Sequence, residues 1–276
     1  MSEKRETIRD TFAAAEAEAR AALVVYTTAG FPSPDAGLDA LLALSDAGAD
    51  VLELGVPFSD PLADGPAIQA SSFRAIERGV DLAWTLDLLR EFTTLRSTPV
   101  VLFTYLNPML DYGVERFLDV AVGAGAAGLL LTDLPLGADP RLEERIERSP
   151  LDFVRLIAPT TTPDRAKRIA ARSQGFVYYI SRTGVTGARR DLAHGLAPEV
   201  RALRQASAVP VAVGFGISTP DQASEVAGVA DGVIVGSAVV NALAEGGALR
   251  AGRLVRDLRT AIGKVSLSAN QQTSTR

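Results

Sequence analysis

Eight short apolar runs, each separated from the next by a segment of helical patterning, constrain the fold of this chain more than any other feature. The runs are "ALVVYTT" from Ala22, "VLELGV" from Val51, "PVVLFTY" from Pro99, "GLLLTD" from Gly128, "DFVRLIA" from Asp152, "FVYYIS" from Phe176, "VPVAVG" from Val209 and "DGVIVG" from Asp231. They are apolar almost throughout, with no polar residue at every second position. That is what parallel strands covered on both faces require. The segments between them, such as "DAGLDALLALSDAGA", "TLDLLREFTTL" and "YGVERFLDVAVGAGA", space their apolar residues at helical intervals. Eight βα units predict a closed (β/α)8 TIM barrel, with a doubly wound open sheet as the alternative. A length of 276 residues suits one such barrel. Residues 1–265 are expected to form that single domain, and 266–276, "LSANQQTSTR" with the residue before it, to be a polar tail.

The spacing also predicts additions to the plain barrel. The leading "ETIRDTFAAAEAEAR" reads as an amphipathic helix that covers the barrel's bottom. Extended loops follow strand two ("GPAIQASSFRAIERG", itself helical) and strand six ("TGVTGARRDLAHGLA"). Long loops at the C-terminal ends of barrel strands are where this architecture places chemistry. Ser33 before Pro34, Thr162 before Pro163 and Asp64 before "GPAIQASSF" stand where helix caps belong.

Several function classes fall away on residue counts. There is no cysteine, which excludes disulfides, thiolate nucleophiles and Cys-ligated metals. The only lysines are Lys4, Lys167 and Lys264, none in a strand-end segment, so Schiff-base catalysis is not expected. His194 is the single histidine, placed on a loop or helix surface, and no histidine-rich metal site can be built. A net charge of -5 with both signs interspersed gives no footprint for nucleic acid. No signal peptide or membrane span is apparent, and the expected setting is soluble and cytoplasmic.

What remains is carboxylate chemistry. Glu53 lies within an apolar strand run, in the orientation opposite to Leu52 and Leu54. If those two face the helices, Glu53 points into the barrel. Two readings stand: a desolvated acid–base group, or a structural carboxylate held by an arginine or backbone donors. Asp60 and Asp64 follow in a Pro/Gly-punctuated loop and read either as caps and turn residues or as members of a site. The glycines of "VGFGIS" and "VGSAVV" close strands seven and eight ahead of helices. They read as tight turns or as a phosphate cradle, a recurring use of these two loops.

Taken in order, "LELGVPFSDPLADGP", "YLNPML", "TDLPL", "YYISRTGVTG", "VGFGIS" and "DGVIVGSA" closely resemble the signature motifs of the tryptophan synthase alpha chain family, and the similarity runs from Tyr26 to Ser237. The resemblance implies a TIM barrel that cleaves indole-3-glycerol phosphate to indole and glyceraldehyde 3-phosphate, a reversible retro-aldol reaction. It implies no cofactor or metal in this chain. Indole passes to a beta chain partner that carries pyridoxal phosphate, in an alpha2beta2 heterotetramer.

By the same resemblance Glu53, Asp64 and Tyr178 are catalytic, and Tyr26 and Leu130 line the indole pocket. Gly184, Gly214, Phe215, Gly216, Gly236 and Ser237 hold the phosphate, while Thr186 sits on a lid that approaches Asp64. Asp60, Asn107, Pro108 and Asp133 face the partner. Phe31 departs from the polar residue that many relatives have there, and "ARRDLAHGLAPEV" is unusual after the lid. Two rival readings are another phosphate-binding barrel enzyme and a non-catalytic activator of a beta chain.

Overall fold

The computed structural model describes residues 6–181, 192–214 and 216–263, with the backbone alone for 192–195. Its elements, in chain order, are α1 (Ile8–Ala17), β1 (Ala22–Thr28), α2 (Gly37–Asp46), β2 (Val51–Gly55), α3 (Pro66–Ile76), α4 (Leu82–Leu95), β3 (Val100–Thr104), α5 (Leu106–Tyr112), α6 (Val114–Ala124), β4 (Gly128–Leu131), α7 (Pro140–Glu147), β5 (Asp152–Ile157), α8 (Pro163–Arg172), β6 (Val177–Ile180), α9 (Leu192–Ala206), β7 (Val211–Gly214), α10 (Pro220–Ala227), β8 (Gly232–Val235) and α11 (Ser237–Gly263). All eight expected strands are present. Each pairs in parallel with the next, and β8 returns to β1, closing a (β/α)8 barrel. The open-sheet alternative is thereby excluded.

The apolar runs are continuous because both strand faces are covered. Leu23, Val25, Leu52, Leu54, Val100 and Leu102 face outward, in one cluster with helix residues such as Leu41, Leu89 and Phe117. Val24, Val51, Val101, Leu130, Val154, Ala212 and Ile234 fill the interior. Ile8, Phe12 and Ala15 of α1 join that interior cluster, so the leading helix plugs the bottom of the barrel as its pattern predicts. The fit is close: a Cβ on Gly232 would come within 2.9 Å of the Phe12 ring. Arg20 fixes the exit from α1, donating from two nitrogens to Asp50 at 2.7 and 2.8 Å, while Asp50 also accepts from the Leu23 N–H.

Local chemistry sets most helix starts. Asp81 accepts from the Trp84 N–H at the start of α4, Asp139 from the Leu142 N–H at the start of α7, and Thr219 and Gln222 form a reciprocal capping box on α10. Ser33 and Thr162 occupy the expected cap positions without a side-chain cap bond. Ser33 begins a 3-10 turn that leads into α2. The expectation for Asp64 needs correction: the N-cap of α3 is Gly65, and Asp64 lies one residue earlier. Helix α11 is broken at Gly246 and Gly247, and the latter has φ +60°, a region that favours glycine. The tail 266–276 lies outside the described residues.

Candidate active site

Glu53 sits on the inner face of β2, two residues before its C-terminal end, level with Tyr26 of β1 and Val101 of β3. Leu52 and Leu54 face the helices, so the orientation inferred from alternation holds. Glu53 is 1% exposed, and its Oε1 atom has no hydrogen-bond partner among the described residues. Burial alone pushes its pKa up, from the ordinary 4.5 to about 8. A structural carboxylate held by arginine would be shifted the other way. The geometry therefore describes an acid that keeps its proton near neutrality and has a free oxygen.

Asp64 occupies the loop between β2 and α3, which is pinned on two sides. From α3, the Gln69 amide donates to the carbonyls of Asp64 (2.9 Å) and Pro61 (3.3 Å). From the residue after β3, the Tyr105 hydroxyl accepts the Ala63 N–H at 3.0 Å. Burial raises the Asp64 pKa to about 6, and the Tyr105 hydroxyl works against that rise. The loop thus supplies a second carboxylate that ionises below the first.

Three tyrosines surround this pair. Tyr26 is buried, edge-on to Phe103 with ring centroids 5.2 Å apart. Its hydroxyl lies 3.4 Å from that of Thr28, which in turn bonds Ser71 of α3 at 2.6 Å. Tyr178 lies on the inner face of β6, and its hydroxyl is pushed far above the usual phenol range by desolvation, then by the charges of Glu53 and Asp64. Both rings need a missing side chain opposite them. A Cβ on Gly55 would fall 2.1 Å from the Tyr26 hydroxyl oxygen, and one on Gly214 would fall 2.6 Å from that of Tyr178. Tyr105, buried at the end of β3, is the member that sequence reasoning missed. It reads as one more core aromatic in an apolar run, and the only signal for it was its strand-end position in "YLNPML".

The remaining expected residues divide cleanly. Leu130 is fully buried on the inner face of β4, in register with Phe103 and Val154. Gly216 and Gly236 stand at the C-terminal mouth, after β7 and β8 and before α10 and α11, Ser237 is the first residue of α11, and Gly216 has φ +77°. Gly214 ends β7 beside them. Asp60, Asn107 and Asp133 are exposed, and Pro108 is half-buried, on the consecutive segments that follow β2, β3 and β4. Gly184, Thr186 and Phe215 lie outside the described residues, as does the side chain of His194. Among the described residues no group of three or more histidine, aspartate or glutamate side chains could hold a metal ion.

The family model described as tryptophan synthase alpha chain matches residues 12–270. The chain belongs to the tryptophan synthase alpha chain family. It is 47% identical over 258 residues to the tryptophan synthase alpha chain of Synechococcus elongatus, covering 93% of this chain and 97% of that one. The alpha chain of Geobacter sulfurreducens is 46% identical over 260 residues, covering 93% and 98%. Among solved structures, tryptophan synthase from M. tuberculosis superposes with a TM-score of 0.84 at 35% identity, over 92% of this chain and 98% of that one. The tryptophan synthase alpha subunit of Legionella pneumophila gives 0.85 at 36% identity, over 92% and 97%. Tryptophan synthase alpha chains are lyases that cleave indole-3-glycerol phosphate in tryptophan biosynthesis.

Proposed function

We propose that this chain releases indole from indole-3-glycerol phosphate with Glu53 as acid and base and Asp64 as electrostatic partner. The observation that carries the assignment is the fully buried Glu53 with an unpartnered oxygen and a pKa raised to about 8. Retro-aldol cleavage needs an electron sink. Protonation of indole C3 by Glu53 makes a C=N bond that can accept the electrons of the breaking C–C bond. The Glu53 carboxylate then takes the proton of the glycerol hydroxyl as the aldehyde forms, which returns it to its starting state. Asp64, ionised above about pH 6, accepts the indole N–H and stabilises the positive charge that develops on the ring. Tyr178 lies in the field of both carboxylates, and as a neutral phenol it can donate a hydrogen bond to a bound intermediate.

Tyr26 and Leu130 supply the apolar walls for the indole ring, and Gly214, Gly216, Gly236 and Ser237 the phosphate donors at two helix starts. Gly184, Phe215 and Thr186 complete this assignment by family match. The partner is a tryptophan synthase beta chain in an alpha2beta2 assembly, and the pyridoxal phosphate belongs to that partner. Asp60, Asn107, Pro108 and Asp133 form a continuous arc for it, together with Leu62, 92% exposed, and Leu110, 50% exposed. Residues 1–265 act as one domain, in the cytoplasm. No described helix is long and apolar enough to cross a membrane.

The test is indole release by the purified chain, alone and with a beta chain. Slow release alone and faster release together support both parts of the proposal. No release in either case overturns it.

A further inference from the structure

Ser71 stands on the buried face of α3, where an alanine would suit the helix better and bury no polar atom. Its hydroxyl lies 2.8 Å from the Ile68 carbonyl oxygen, which can only accept, so the one serine proton goes there. Toward Thr28 Oγ1, 2.6 Å away at the end of β1, Ser71 is therefore the acceptor and Thr28 the donor. Thr28 then has no proton left for Tyr26, whose hydroxyl lies 3.4 Å off, and the phenol must donate to the threonine. Each hydroxyl pair alone could bond in either direction, and the backbone carbonyl at the far end settles both. All three side chains are buried, so water does not compete for these bonds. The same turn of α3 touches the site twice more. Ile68 Cδ1 would lie 3.7 Å from a Cβ on Gly236, and the Gln69 amide donates to the carbonyls of Asp64 and Pro61.

We propose that Thr28 and Ser71 are positioning residues that fix the Tyr26 hydroxyl, turning its proton out of the pocket toward α3 and leaving the phenol oxygen as an acceptor on the pocket wall. The inference rests on the reading of Tyr26 as a wall of the indole site. A ring held this way gives the indole one place to lie. Once its acceptor is lost, the phenol must either turn or leave a buried donor unpaired, and a small displacement of a positioning group is costly to the rate. Tyr26 thereby complements Tyr178, the donor of the proposed mechanism.

The experiment compares Thr28→Val with Thr28→Ser in steady-state indole release by the full chain. Valine keeps the branched shape and loses the hydroxyl, whereas serine keeps the hydroxyl and loses a methyl group. We expect kcat/KM about three- to tenfold lower in Thr28→Val and within about twofold of wild type in Thr28→Ser. In a Tyr26→Phe background the valine change has little further effect, since no hydroxyl is left to direct. A role in packing alone predicts the reverse order, with serine the more damaging, and that order overturns the proposal. So do wild-type kinetics in Thr28→Val, or an equal loss from valine in both backgrounds. Ser71→Ala breaks the same chain of bonds from the helix side and takes the place of Thr28→Val should that variant fold poorly. The 13Cζ resonance of Tyr26 gives a readout independent of activity. It should move in Thr28→Val and in Ser71→Ala and hold in Thr28→Ser, and a resonance that ignores the first two overturns the proposal. A wild-type chain that releases no indole overturns the proposed function instead, and the resonance alone then decides whether Thr28 and Ser71 direct Tyr26.

Discussion

In the proposed mechanism a single buried carboxyl carries most of the chemistry, and its surroundings explain why it can. Among the described residues Glu53 has no cation to hold it and no donor on Oε1, so removal from water dominates its behaviour. The sign of the stability effect follows. The folded chain holds this proton up to about pH 8, whereas the unfolded chain gives it up near 4.5, so folding is favoured below that value and weakens as pH rises between the two. Glu53→Gln should therefore keep the fold and gain stability over wild type across that window, by up to about 5 kcal/mol at its upper end. Indole release should fall at least about 1,000-fold. Chemical denaturation at several pH values, alongside the assay, checks both, and unchanged indole release would remove the assigned role. Gly55→Ala tests the neighbouring space. A Cβ there overlaps the Tyr26 hydroxyl, so the ring must move out of its slot, and we expect at least about a tenfold loss in kcat/KM by steady-state assay. Glu53 was legible in the sequence because Leu52 and Leu54 fix its direction. Asp64 was only half legible, since its position before a helix invites a cap that the structure gives to Gly65. Tyr105 was not legible, because its partner Ala63 lies 42 residues away in the chain.

At the scale of elements, each strand and most of the helices could be read from pattern, because burial on two faces and on one face write different periods into the sequence; α9 was not, since its first six residues, from Leu192, fall in the segment read as an extended loop after strand six. Helix α5 could not. Its seven residues, "LNPMLDY", are too few to show a period and include a proline, and Asp133 from a different βα unit caps its first turn. The plug helix α1 was legible as amphipathic, and its effect on the barrel can be measured. Phe12 lies 5.6 Å from the Phe176 ring, and Gly232 leaves room for it. Phe12→Ala should cost about 3 to 5 kcal/mol in a denaturant titration, because neighbouring glycine and strand backbone cannot collapse into the space. Activity of the folded fraction should be nearly unchanged, since the lesion lies at the opposite end of the barrel from the loops.

The whole molecule separates two tasks along the barrel axis. Apolar layers and the plug fill the lower part, while carboxylates, tyrosines and glycine turns gather at the C-terminal mouth, and the arc after β2, β3 and β4 carries the exposed residues assigned to a partner. The barrel closure that brings β8 beside β1 also brings Gly236 next to Tyr26, with a would-be Cβ 3.4 Å from the Tyr26 Cβ. The proposed phosphate and indole subsites, from opposite ends of the sequence, thereby become neighbours.

The central claim is that indole release needs Glu53 protonated and Asp64 ionised, and the pH dependence of kcat/KM tests it most directly. The profile should rise as Asp64 ionises near pH 6 and fall as Glu53 loses its proton near pH 8. The substrate phosphate also ionises near about pH 6, so the alkaline limb is the decisive one. A decline centred near pH 8 is the predicted result, and a rate that stays level or rises through about pH 9.5 would contradict the account.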